Sequence, residues 1–133
     1  MRLISRLWTI AAAGIVIGVF VSAMSVHAHH SNAAQYDASK RTTIKGEVFK
    51  VEWTNPHAYL YLDVKDASGK VARWSLEGFP PNTLLRTGWK TSMLKTGDII
   101  SVEGALARDG SNLLLAREVT LKDGQKLYWG PQS

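Results

Sequence analysis

No cysteine occurs in the chain. Disulfides are therefore excluded, and burial alone must hold the fold together. A thiolate nucleophile is excluded too, and any metal site must use nitrogen and oxygen ligands. No lipid-attachment cysteine and no twin-arginine pair precede the expected start of the folded part. The chain also lacks internal repeats, low-complexity tracts and any sign of a second domain. Signals of catalysis are scarce. None of the serines from Ser31 to Ser111 stands in a nucleophile-elbow context. Asp37, Asp63, Asp66 and Glu77 read as surface carboxylates, and no acid pair can be placed across a cleft. These absences argue against an enzyme.

One long apolar run is present, at the very start. Arg2 and Arg6 precede an uncharged stretch from Leu7 to about Val21, and Val26-His27-Ala28 follows with small residues at both cleavage-pocket positions. This is the pattern of a secretory signal cut after Ala28. Val21-Ser22-Ala23 offers a second cut, after Ala23. Leu7 to Met24 is 18 residues, just long enough for an uncleaved membrane anchor. The expected location is periplasmic or secreted. A cut after Ala28 leaves 105 residues, enough for one small core. They hold 14 basic and 11 acidic residues, a net charge of +3. So mild an excess, spread along the chain, does not point to nucleic acid or to a membrane surface.

After the leader, His29 to Arg41 is polar and aperiodic and reads as an N-terminal arm anchored by Tyr36. Residues 42–133 read as the domain. From Thr43 to Trp53 the apolar phase slips between Val48 and Phe49, which predicts a bulge or bend in a long strand, with Gly46 able to bend. Asn55-Pro56 breaks it. Ala58, Leu60, Leu62 and Val64 then alternate with Tyr59, Tyr61 and Asp63, and Val71 to Glu77 gives a third strand with Ala72, Trp74 and Leu76 in phase. Asn82 is a reasonable N-cap for a short helix to Thr87, stopped by Gly88. Ile99 to Ala107, with Ile100, Val102 and Ala105 inward, and Leu113 to Leu121 are the last two strands, joined through Asp109-Gly110. A short segment, Lys126 to Trp129, follows. Trp74, Trp89 and Trp129 read as core or rim. Three strands, a helix and two strands is the order of an OB-type barrel. The fold expected is all-β with one short helix, a small five-stranded OB-like barrel; a sandwich or roll is the competing arrangement.

Three groups of residues carry what chemistry there is. A chain cut after Ala28 begins His29-His30, and a terminal amine with its own imidazole, or with the next amide and ring, chelates a metal ion. Such nitrogen-rich sites suit copper(II). His57, on a stiff turn beside Pro56, would complete a set of three. Against this, a histidine pair at an exposed end and a turn histidine need no ligand. The second group is Trp53, Asn55 and His57, an aromatic beside two hydrogen-bonding groups, suited to a small ligand; equally, Trp53 caps the core and Asn55 closes the turn. The third is Tyr59, Tyr61 and Arg73 on the outward face of strands two and three, an arrangement that in OB domains contacts oligomeric ligands. Export makes nucleic acid an unlikely everyday partner.

The chain resembles a family of small exported bacterial proteins, the domain of unknown function family 6152. The likeness rests on His29-His30-Ser31, Lys45-Gly46-Glu47-Val48, Val51-Glu52-Trp53, Asn55-Pro56-His57, Trp74-Ser75-Leu76-Glu77, Leu84 to Trp89, Gly97-Asp98 and Arg108 to Ser111. The resemblance implies export and a small β domain, and no activity. Two functions are expected from different classes. One is a binding or accessory module, with copper as candidate cofactor. The other is an interaction domain, without a ligand, that docks on a larger exported or membrane-bound protein.

Overall fold

A strand that buries one face shows apolar side chains at every second residue. That period organises the computed structural model, which describes residues 32–132. The leader, its cleavage positions and the pair His29-His30 lie outside the described residues. From Gln35 the chain forms one compact unit. Its strands are β1 (Tyr36–Glu52), β2 (Tyr59–Lys65), β3 (Val71–Glu77), β4 (Ile99–Ala107), β5 (Leu113–Thr120) and β6 (Lys126–Tyr128), with helix α1 (Pro81–Arg86) between β3 and β4.

The sheet order is β3-β2-β1-β4-β5-β6. A parallel pairing of β3 with β5, Ser75 opposite Leu113 and Glu77 opposite Leu115, closes the first five strands into a ring. This is the OB-type barrel expected from the element order, with β6 as a short sixth strand on β5. β1 serves both halves. It pairs with β2 over Glu47–Glu52 and with β4 as far as Glu47.

The bulge falls where the phase slip predicted it. Val48 pairs with Leu62 and Lys50 with Tyr61, so Phe49 has no partner and turns out to solvent. Gly46 is needed for close approach. A Cβ there would come within 2.8 Å of the Asp63 carbonyl oxygen.

Val48, Leu60, Leu62, Leu76, Val102, Leu114 and Val119 are fully buried, and Leu84 of α1 covers one end of the ring. Each such side chain contributes roughly 1.5–3 kcal/mol. Ile44 and Ile100 join them as predicted, while Trp74 is half-buried and packs against the core from its edge.

Three local expectations are corrected. First, residues 36–41 are not an arm: β1 starts at Tyr36. The period is missing there because the pairing jumps from Asp37–Leu106 to Arg41–Ala105, looping out Ala38, Ser39 and Lys40. The Asp37 carboxylate accepts bonds from the Ser39 amide (3.1 Å) and hydroxyl (2.7 Å) inside that loop. Second, Asn82 is inside α1; Pro80 stands at the N-cap, and no side chain caps the helix. Gly88 does end it, at φ +105°. Third, Gly104 takes the inward place expected of Ala105, because strict alternation from Ile100 reaches residue 104. A side chain there would strike Leu114 and Leu115.

Candidate functional site

The loop 53–58 joins β1 to β2 and carries Trp53, Asn55 and His57. Its Asn55–Pro56 bond is cis. The loop is pinned to the segment after β3: the Ala58 amide donates to the Phe79 carbonyl, and the Gly78 amide donates to the Ala58 carbonyl, both at 3.0 Å. Within it, the Thr54 hydroxyl donates to the His57 carbonyl (3.2 Å).

His57 Nδ1 lies 3.0 Å from the Gly78 carbonyl oxygen. A carbonyl only accepts, so Nδ1 carries the proton. The neutral ring therefore keeps its lone pair on Nε2. Behind the ring stands Glu77, with Oε1 3.5 Å from Nδ1. Glu77 is not the surface carboxylate its sequence position suggested; it is 7% exposed. Its Oε2 accepts a 2.8 Å bond from the Tyr36 hydroxyl. Burial first, and then this bond to Glu77, push the Tyr36 phenol well above the usual tyrosine range. Burial and the Glu77 charge raise Tyr59 as well. The result is a fixed chain, Tyr36–Glu77–His57, with the imidazole about one-third exposed at its outer end.

Trp53 and His57 have different neighbours. Trp53 sets its ring edge-on to Trp129, centroids 5.5 Å apart, and Trp129 packs against Gly78. Trp53 thus caps the barrel end with Trp129 and Trp89, while Asn55 stands in solvent. The expected trio is therefore only partly assembled.

The outward face of β2 and β3 does carry Tyr59, Tyr61 and Arg73. The two tyrosine rings stack at 6.3 Å. The Tyr61 hydroxyl donates to Glu52 (3.0 Å), which also holds Lys50. Lys50 and then Tyr61 hold the Glu52 carboxyl below its ordinary range. Arg73 grips Asp63 with two bonds, 2.9 and 3.0 Å, and lays its guanidinium 3.3 Å from the Phe49 ring centre. Arg73 in turn lowers Asp63. Arg73 and Lys50 are thus each matched by a carboxylate.

Tyr36, Glu77, Phe49 and Glu52 belong to these clusters and were given no site role from sequence. Only Phe49 had a local signal, the phase slip. Among the described residues no group of three or more histidines and carboxylates is placed to hold a metal ion. His57 is one oriented nitrogen donor.

The model of a family of unknown function (DUF6152) matches residues 16–116. No curated protein matches the chain. Two crystal forms of Rim1, the mitochondrial single-stranded DNA-binding protein of S. cerevisiae, are similar in structure. One is 15% identical, with a TM-score of 0.48, over 62% of this chain and 94% of that one. The other is 12% identical, with a TM-score of 0.47, over 71% and 98%.

Proposed function

Because the chain belongs to this family of unknown function, DUF6152, we propose its role from its own residues: an exported, non-enzymatic β-barrel module that binds copper(II). The terminal amine and rings of His29-His30 form the main chelate in this reading, and His57 is a separate imidazole donor. The observation that carries it is the setting of His57. A metal-ligating histidine commonly donates its second ring N–H to a carbonyl or carboxylate, which fixes the tautomer and raises the basicity of the free nitrogen. His57 Nδ1 donates to the Gly78 carbonyl, and Glu77, itself held by Tyr36, stands 3.5 Å from the same nitrogen.

Export rests on the leader pattern, and among the described residues no helix is long and apolar enough to cross a membrane. Nucleic acid stays outside the proposal. Its phosphates would need several free cations on the β2–β3 face, whereas Arg73 and Lys50 are already matched by Asp63 and Glu52, and Lys65 alone of the cations on β2 and β3 enters no ion pair among the described residues.

The test is nitrogen-15 NMR of the imidazole. At pH 7.5 His57 should show a protonated Nδ1 and a bare Nε2, and substoichiometric copper(II) should broaden Nε2 before the tyrosine signals. A protonated Nε2, or broadening that ignores His57, would remove it from the ligand set.

A second reading has its own observation. Phe49 of β1, Val71 of β3 and Ile99 of β4 are exposed apolar residues, as a docking domain for a larger exported or membrane-bound protein would present.

A further inference from the structure

β1 parts from β2 at Gly46, and the parting leaves a depression in the barrel wall. Up to Glu47 the strand is paired with β4, and beyond it with β2. At the parting Gly46 passes so close to β2 that only a hydrogen fits on its α-carbon, the Asp63 carbonyl and Val64 methyl being the obstacles. The depression has a volume of about 420 Å³ and lies between Lys45–Glu47, Asp63–Lys65, Val71 and Ile99. That size is within the range of small-molecule sites.

Its two apolar walls are unusually open for their residue type: Val71 is 49% exposed and Ile99 47%. Both sit at strand starts, and beside Ile99 it is Ile100 that enters the core. The charges divide unevenly. Asp63 is occupied by Arg73, bound through two hydrogen bonds. Lys45 and Lys65 are exposed and enter no ion pair among the described residues, and of the two acids lining the depression Glu47 is the unmatched one. Two ammonium groups against one carboxylate, around a floor of glycine and walls of valine and isoleucine, select an anion with an apolar body.

We propose that this depression binds a small amphiphilic organic anion. Its apolar part lies over Gly46 between Val71 and Ile99, and its charged head is shared by Lys45 and Lys65. The site contains no histidine, so it stands or falls apart from the copper reading.

The experiment is an amide-shift NMR titration of the metal-free protein at pH 7 with octanoate, octyl sulfate, octylammonium and acetate. Octanoate and octyl sulfate should give saturable shifts at Gly46, Lys65, Val71 and Ile99. Octylammonium and acetate should give none. Lys45→Gln with Lys65→Gln, both at exposed positions, should weaken octanoate at least tenfold while thermal unfolding is unchanged. Val71→Ser should weaken it several-fold with the lysines intact. Absence of saturable shifts with octanoate, equal binding of octylammonium, or undiminished binding by the double lysine variant would each overturn the proposal.

Discussion

Glu77 is the residue on which most of the site depends, and it was the least legible. In β3 the inward phase is Ala72, Trp74 and Leu76, so the next residue reads as outward and solvated. Its burial comes from Tyr36, 41 residues earlier, and from His57 across the loop. No local pattern encodes such partners. The arrangement makes Tyr36→Phe a sharp probe. The ring would remain, but the buried Oε2 of Glu77 would lose its donor, at a cost of about 1–3 kcal/mol. Urea unfolding at pH 7 measures this; a loss below about 0.5 kcal/mol would mean that water replaces the phenol. The same bond has a pH signature. Tyr36 is raised in the folded state, so above pH ~10 the unfolded chain loses this proton first. Its contribution is complete below that point and is lost as pH rises further. The variant should decline less steeply in alkali than the parent.

Among elements, β2 and β3 were read almost whole, because one buried and one solvated face leave a clean alternation. The phase slip gave the bulge at Phe49 for the same reason. What was not legible depends on contacts between distant segments. The opening of β1 is polar and looped out, and only its pairing with Leu106 and Ala107 makes it a strand. The closing segment is a second case. Trp129 was read as core or rim, and the structure makes it a plug: it is fully buried, its ring packs on Gly78, and Gly130 passes against the Ala116 carbonyl. Two glycines 52 residues apart allow that approach, and neither announces it. The two plugging indoles differ in one respect. Trp89 Nε1 donates to the Tyr128 carbonyl at 2.8 Å, whereas Trp129 Nε1 has no acceptor. Both are buried, with centroids 4.9 Å apart. Trp89→Phe should therefore destabilise more than Trp129→Phe, by about 1 kcal/mol, the net worth of one such bond. Equal losses in parallel urea titrations would show that packing alone decides at this end.

For the whole molecule, the order of strands and helix was enough to anticipate the barrel, since few topologies close three strands, a helix and two strands. The closure itself, β3 beside β5, needed the structure. The outward aromatic face was legible as a set of residues and not as chemistry. Nothing in the sequence told that Arg73 and Lys50 would be matched by Asp63 and Glu52, each pair belonging to different turns of the fold or to one short stretch of strand. The function proposed for the molecule joins a leader pattern, a histidine pair and one oriented imidazole, and its chemistry requires a free amine at His29. Protons compete with the metal for the amine and the imidazoles, so binding should weaken in acid. Replacing His29, which offers amine and ring together, should cost more affinity than replacing His57. The most direct measurement is a copper(II) titration of the protein processed to begin at His29, read by electron spin resonance beside a form carrying one methionine before it. The account predicts nitrogen hyperfine structure and tight binding in the processed protein, and much weaker binding in the extended one. Equal, weak binding by both would contradict it.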